Sequence, residues 1–197
     1  MQPWAQCVLV TEPALIAPTV RLHSSWLDSW AEWGLDAVQQ GASVASATRL
    51  GLDLTNPHDF ARWVEDLLLQ ADPTRERPAD RVPATNQWVA ESDTYLGAIQ
   101  LRHGLTPVLL ELGGHIGFGI RPSARRRGLA SLALGRTLPR ARRLGLDRVL
   151  ITCDDDNPGS YRTIERHGGR LENTRQPDDF MRSVGFVKPL RRYWISL

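Results

Sequence analysis

His115-Ile116-Gly117-Phe118-Gly119-Ile120-Arg121-Pro122-Ser123-Ala124-Arg125-Arg126-Arg127-Gly128-Leu129-Ala130-Ser131-Leu132-Ala133-Leu134 joins an apolar strand, a basic turn and a helix start in one run. His115 to Arg121 has the β-rich, Gly-spaced pattern of a buried strand. Leu129 to Leu134 begins a helical pattern that runs from about Gly128 to Leu144 and stops at Gly145. Pro139 inside it predicts a kink or a split. A turn of Arg and Gly that opens a helix presents unpaired backbone N–H groups and positive charge at one point. That is an anion site, and a phosphate or pyrophosphate suits it.

The rest of the chain frames this segment. At 197 residues, 42% hydrophobic and 23% charged, it is long and apolar enough for one packed core. Residues 1–197 read as a single domain. Residues 1–84 hold a first strand and two helices, and residues 85–197 hold the sheet and the anion-binding core. The N-terminus lacks a basic region followed by an apolar one, and no apolar run has the length of a bilayer span. Cys7 and Cys153 lie in no metal or redox spacing, so no metal and a reducing, cytoplasmic setting are expected. Eight Arg and no carboxylate fall between Arg121 and Arg143. That segment suits a phosphorylated cofactor or a nucleic acid. Lys188 is the only lysine, so some of these Arg serve as this chain's ordinary surface cations.

Periodicity orders the remaining elements. Val8-Leu9-Val10 reads as a first strand. Leu22, Trp26, Leu27, Trp30 and Trp33 lie on one helix face between about Val20 and Gly34. Gly41 to Gly51 reads as a loop. Thr55-Asn56-Pro57 starts a second helix that carries Phe60, Trp63, Val64, Leu67 and Leu68. Asn86–Val89, Tyr95–His103, Val108–Leu112 and His115–Arg121 then read as consecutive strands. Arg148–Cys153 is a buried strand. Asn157-Pro158 opens a helix running to His167, and Arg170–Arg175 and Phe186–Ile195 are the last strand candidates. The order predicts an α/β fold with a mixed, mostly antiparallel central sheet and helices on both faces.

Arg125-x-x-Gly128-x-Ala130 resembles the acyl-CoA pyrophosphate loop of the GNAT N-acetyltransferases. The order of elements from Asn86 onward is similar to that family too. Asn157-Pro158-Gly159-Ser160 resembles the family's Asn-x-x-Ser/Ala at the helix along the cofactor. The run from Gly113 to Ser123 and the ending Arg192-Tyr193-Trp194-Ile195 resemble a subgroup of predicted acetyltransferases. Two competing motifs fail. Pro122 stands where a dinucleotide fingerprint needs its third Gly, and no Gly-x-x-x-x-Gly-Lys-Ser/Thr loop occurs.

The resemblance implies acetyl-CoA as acyl donor. It places the thioester and pantetheine on the backbone of Phe118, Gly119, Ile120 and Arg121, where the strand splays from its neighbour. It places the pyrophosphate on Arg126, Arg127, Gly128, Leu129 and Ala130, with side chains of Arg125, Arg126 or Arg127 reaching the phosphates. Asn157 and Ser160 line the cofactor.

An ammonium cannot attack a thioester, so His115, His103 and Glu111 are the candidate bases. Each histidine has a backbone-bonded structural role as its alternative, and water is a further alternative. The family often places a Tyr acid four residues after Ser160, where this chain has Ile164; Tyr161 lies one turn earlier. Cys153 is either a buried apolar residue or an acyl carrier. Trp26, Trp30, Trp33 and Trp63 either wall an acceptor pocket or fill the core. The leading expectation is acetyl transfer to a primary amine of a small molecule or peptide, in a ternary complex and with no membrane partner. The alternatives are a CoA-binding regulatory module and an Arg-rich nucleic-acid-binding protein. A homodimer stays open.

Overall fold

The structure is a computed structural model that describes residues 12–34 and 41–197. The expected strand at Val8–Val10, and Cys7, lie outside the described residues. Seven strands and six helices follow: β1 Ala14–Ile16, α1 His23–Trp33, α2 Val44–Arg49, α3 Pro57–Leu69, β2 Ala84–Glu91, β3 Thr94–Arg102, β4 Ile116–Ile120, α4 Leu129–Arg143, β5 Arg148–Asp154, α5 Pro158–Arg166, β6 Arg170–Arg175, α6 Asp179–Ser183 and β7 Leu190–Ser196. No helix among them is long and apolar enough to cross a membrane.

The strands form two antiparallel groups, ordered β1-β2-β3-β4 and β5-β7-β6. Alternation along β2 and β3 sends side chains to two separate cores. One face carries Trp88, Ala90, Tyr95 and Ala98 against Trp26, Phe60 and Trp63 of α1 and α3. The other carries Val89, Leu96, Ile99, Ile116 and Ile120 against Leu129, Ala133 and Leu134 of α4. Helices thus cover both faces. The aromatic rings of Trp26, Phe60 and Trp63 meet at centroid distances of 5.1–5.5 Å. Each buried ring contributes roughly 2–3 kcal/mol of apolar burial.

Local chemistry explains the helix ends. Asn56 Oδ1 accepts from His58 N and Asp59 N, and Pro57 occupies the first turn of α3. Asn157 Oδ1 caps α5 by accepting from Ser160 N at 3.1 Å.

Four expectations change. The Gly41–Gly51 stretch contains α2, because Ser46 and Ala47 are buried and Ser46 Oγ accepts from Trp63 Nε1 at 3.1 Å. Val108–Leu112 is no strand: Leu109–Gly113 forms a π-helical turn that buries Leu112 beside Met181 and Leu190. A short helix, α6, precedes β7; its N-cap Asp178 accepts from Met181 N at 2.7 Å. Helix α4 is one element through Pro139. Its buried stripe, Leu129, Ala133, Leu134, Thr137 and Ala141, seats it on the sheet on both sides of the proline.

Candidate active site

β4 and β5 are neighbours joined by the α4 crossover, and they touch at one closed end. There His115 N–H donates to Leu150 O at 2.7 Å, and Leu150 N–H donates to His115 Nδ1 at 2.9 Å. Beyond that bridge β4 pairs only with β3, and β5 only with β7. A slot therefore opens between them toward their C-terminal ends. The N-termini of α4 and α5 follow those strand ends and flank its mouth.

Strand alternation decides which backbone groups face the slot. Arg121 N–H donates to Leu96 O at 2.8 Å, and Arg102 N–H donates to His115 O at 2.7 Å. With this antiparallel register the odd-numbered β4 residues turn toward β3. Phe118 and Ile120 are the members of the expected thioester set whose N–H groups face β5. Gly119 and Arg121 face the other way, a correction to the backbone contacts expected of them.

The basic turn after β4 has the geometry of an anion nest. Arg126 and Gly128 are left-handed, with φ of 65° and 78°. The N–H groups of Arg126, Arg127, Gly128, Leu129, Ala130 and Ser131 carry no hydrogen bond to any described residue. A Cβ on Gly128 would meet nothing within 4 Å, so open space lies in front of these donors. Consecutive unpaired N–H groups at a helix start match a pyrophosphate by charge and direction.

The guanidiniums of this region divide sharply. Arg121 Nε donates to Glu32 Oε1 at 2.7 Å, and Ser123 N donates to Glu32 Oε2 at 2.9 Å. Arg121 thereby pins α1 to the end of β4. Burial alone would raise the Glu32 pKa, but hydrogen bonds from Ser123 and Arg121 bring it below the usual range. Arg125 stacks over Trp33 at 4.7 Å. Arg127 Nη2 donates to both carboxylate oxygens of Glu91 at 2.9 Å. Only Arg126 of the three has no side-chain partner among the described residues.

None of the three expected bases presents a free basic group to the slot. His115 is buried, its Nδ1 takes the Leu150 proton, and its ring lies edge-on to Trp194. Burial and the Arg102 guanidinium push its pKa down to about 4. It is a clasp between β4 and β5. His103 Nε2 bonds Thr85 Oγ1 at 2.8 Å, beyond the closed end of the slot. Glu111 sits in the π-helical turn, where Arg175 and Arg192 hold its carboxylate.

Ile164, in the position of the usual acid, is fully buried in the core. Tyr161 is half-buried beneath Arg191, whose guanidinium lies 4.2 Å from the ring. Burial pushes the Cys153 thiol up to about 12, which fits an apolar wall and not an acyl carrier. Asn157 Oδ1 is used in the cap, so its amide Nδ2 is the end left to face a ligand. Trp26 and Trp63 fill the core, while Trp30 and Trp33 are half-buried at its border.

A family profile described as "Acetyltransferase (GNAT) domain" matches residues 27–170. The chain belongs to the GNAT acetyltransferases. Several solved structures share the fold of this GNAT protein. A Salmonella typhimurium acetyl transferase described as modifying the N-terminal serine of 50S ribosomal subunit protein L7/L12 is 16% identical, with 96% and 97% of the two chains covered and a TM-score of 0.63. Mycobacterium smegmatis RimJ, solved with a CoA-disulfide, is 16% identical, with 95% and 83% covered and a TM-score of 0.65. The microcin C7 self-immunity acetyltransferase MccE, solved with acetyl-CoA and AMP, is 16% identical, with 94% and 93% covered and a TM-score of 0.64. No curated protein matches the chain in sequence. Family membership makes this an acetyltransferase with acetyl-CoA as donor. The donor fits this chain on two observations: the six unpaired N–H groups and the open slot that leads inward from them.

Proposed function

We propose that this GNAT protein transfers an acetyl group to a primary amine, as one unit and by direct transfer in a ternary complex. The observation that carries the reading is the run of unpaired N–H groups from Arg126 to Ser131 at the mouth of the β4–β5 slot. When bound, acetyl-CoA supplies the thioester whose acyl group moves. The nest holds the pyrophosphate, and the Phe118 and Ile120 N–H groups orient the thioester end. Asn157 Nδ2 and Ser160 Oγ guide the arm between them. Holding the reactants in one geometry supplies much of the rate. With His115, His103 and Glu111 engaged elsewhere, the acceptor amine loses its proton to water. The leaving thiolate needs no side-chain acid, since a thiol of pKa about 8.5 leaves readily.

The Salmonella neighbour's substrate puts peptide N-termini first among the amines to try. Calorimetric titration of acetyl-CoA into the protein should show micromolar binding. Gly128→Glu, which sets a carboxylate beside the nest, should abolish it. Wild-type protein that fails to bind acetyl-CoA overturns the reading.

The engaged histidines and Ile164 favour a second reading, a CoA-binding module without turnover. Tight acetyl-CoA binding with no CoA release across peptides and small amines would establish that alternative.

A further inference from the structure

A cavity of about 620 Å³ adjoins the nest at Arg126 and is lined further by Pro158, Gly159, Arg162, Thr163 and Arg166. No carboxylate among the described residues lines it. The three guanidiniums have no ion pair or hydrogen bond to any described residue, in a molecule where Arg121, Arg127, Arg175, Arg191 and Arg192 all hold carboxylates. Thr163 Oγ1 is already used, donating to Gly159 O at 2.7 Å. Three free guanidiniums therefore give the cavity a cationic lining. The nest's donors are backbone N–H groups.

The arrangement carries a cost within the fold. Arg162 and Arg166 stand four apart on α5, a like-charge spacing that weakens a helix. Arg126 holds a left-handed φ of 65°, which a non-glycine residue adopts only at a cost. The α5 C-terminus favours Arg166 on its own account. It does not explain Arg162, nor Arg126 facing the same space.

We infer that this cavity is a second anion site, one that reads the ribose 3′-phosphate of the acetyl donor. The inference rests on acetyl-CoA lying in the Arg126–Ser131 nest. The donor carries two phosphate groups in different chemical forms. The pyrophosphate is an internal diester that a row of N–H groups can wrap. The 3′-phosphate is a dianionic monoester one sugar away, with three terminal oxygens that suit guanidinium forks. Arg126 belongs to the nest by its backbone and to the cavity by its side chain, so it joins the two sites. The volume lies in the range that holds a nucleotide-sized group.

The test is calorimetric titration of CoA and of 3′-dephospho-CoA into wild-type protein and into Arg162→Gln/Arg166→Gln. Wild type should bind CoA about tenfold or more tightly than the dephospho form. The double variant should bind CoA as weakly as wild type binds 3′-dephospho-CoA, with dephospho-CoA affinity unchanged within about twofold. Equal wild-type affinity for the two ligands overturns the inference and leaves the nest intact. So does a variant that weakens both equally. Failure of both ligands to bind wild type overturns the donor site together with the inference.

Discussion

His115 Nδ1 accepts the Leu150 N–H, which places the ring proton on Nε2 and leaves no basic nitrogen for an amine. The same geometry has a consequence for stability. The native pKa, pushed down to about 4 by burial and Arg102, lies below the ordinary value near 6.5. As pH falls, the unfolded chain takes the proton first. The stabilisation is complete above about pH 6.5 and is lost between there and about pH 4. Urea midpoints measured across that window should fall, by at most about 3 kcal/mol in unfolding free energy. His115→Leu strands the buried Leu150 N–H and should cost about 1–3 kcal/mol at pH 7.5. It should also flatten the slope in the window. An unchanged slope would place the pH dependence on another group. Sequence alone made His115 a candidate base because it begins the strand lining the site. Leu150, 35 residues away, decides the matter, and no local pattern announces that partner.

At the scale of elements, strands and helices with long, regular periodicity were legible: α1, α3, β2, β3, β5 and α5 lie where the pattern predicts. The short ones were not. In α2, six residues are too few to hold a helix on their own, and burial under Trp63 holds them. Val108-Leu109-Leu110-Glu111-Leu112 is apolar enough for a strand or a turn of helix, and its length does not decide between them. Helix α4 shows tertiary packing prevailing over a local breaker. Pro139 has no N–H to donate, and its exposed position keeps the loss on the solvent side. Pro139→Ala restores that bond but frees the unfolded chain. Thermal unfolding should show a net gain of about 1 kcal/mol. A lowered Tm would mean that the proline ring itself packs favourably.

Across the whole molecule, the slot exists because one set of strands ends its pairing at β4 and another begins at β5, with His115 as the clasp. Two helix N-termini then flank a single opening. Hydrogen exchange with and without acetyl-CoA should reflect this division. Amides of Phe118, Ile120 and Arg126–Ser131 should slow on binding, while those of β1 and β2 keep their rates. Protection spread evenly over the chain would mean global stabilisation instead of a site in the slot. The anion turn could be read from the sequence because strand, turn and helix are contiguous there. Backbone N–H groups at a helix start need no distant partner to point outward. The roles of individual side chains could not be read that way. Glu32, Glu91 and Trp33 occupy Arg121, Arg127 and Arg125 from positions 89, 36 and 92 residues away. Only the folded chain brings those partners together, and the absence of such partners among the described residues around Arg126, Arg162 and Arg166 leaves charge available for a ligand.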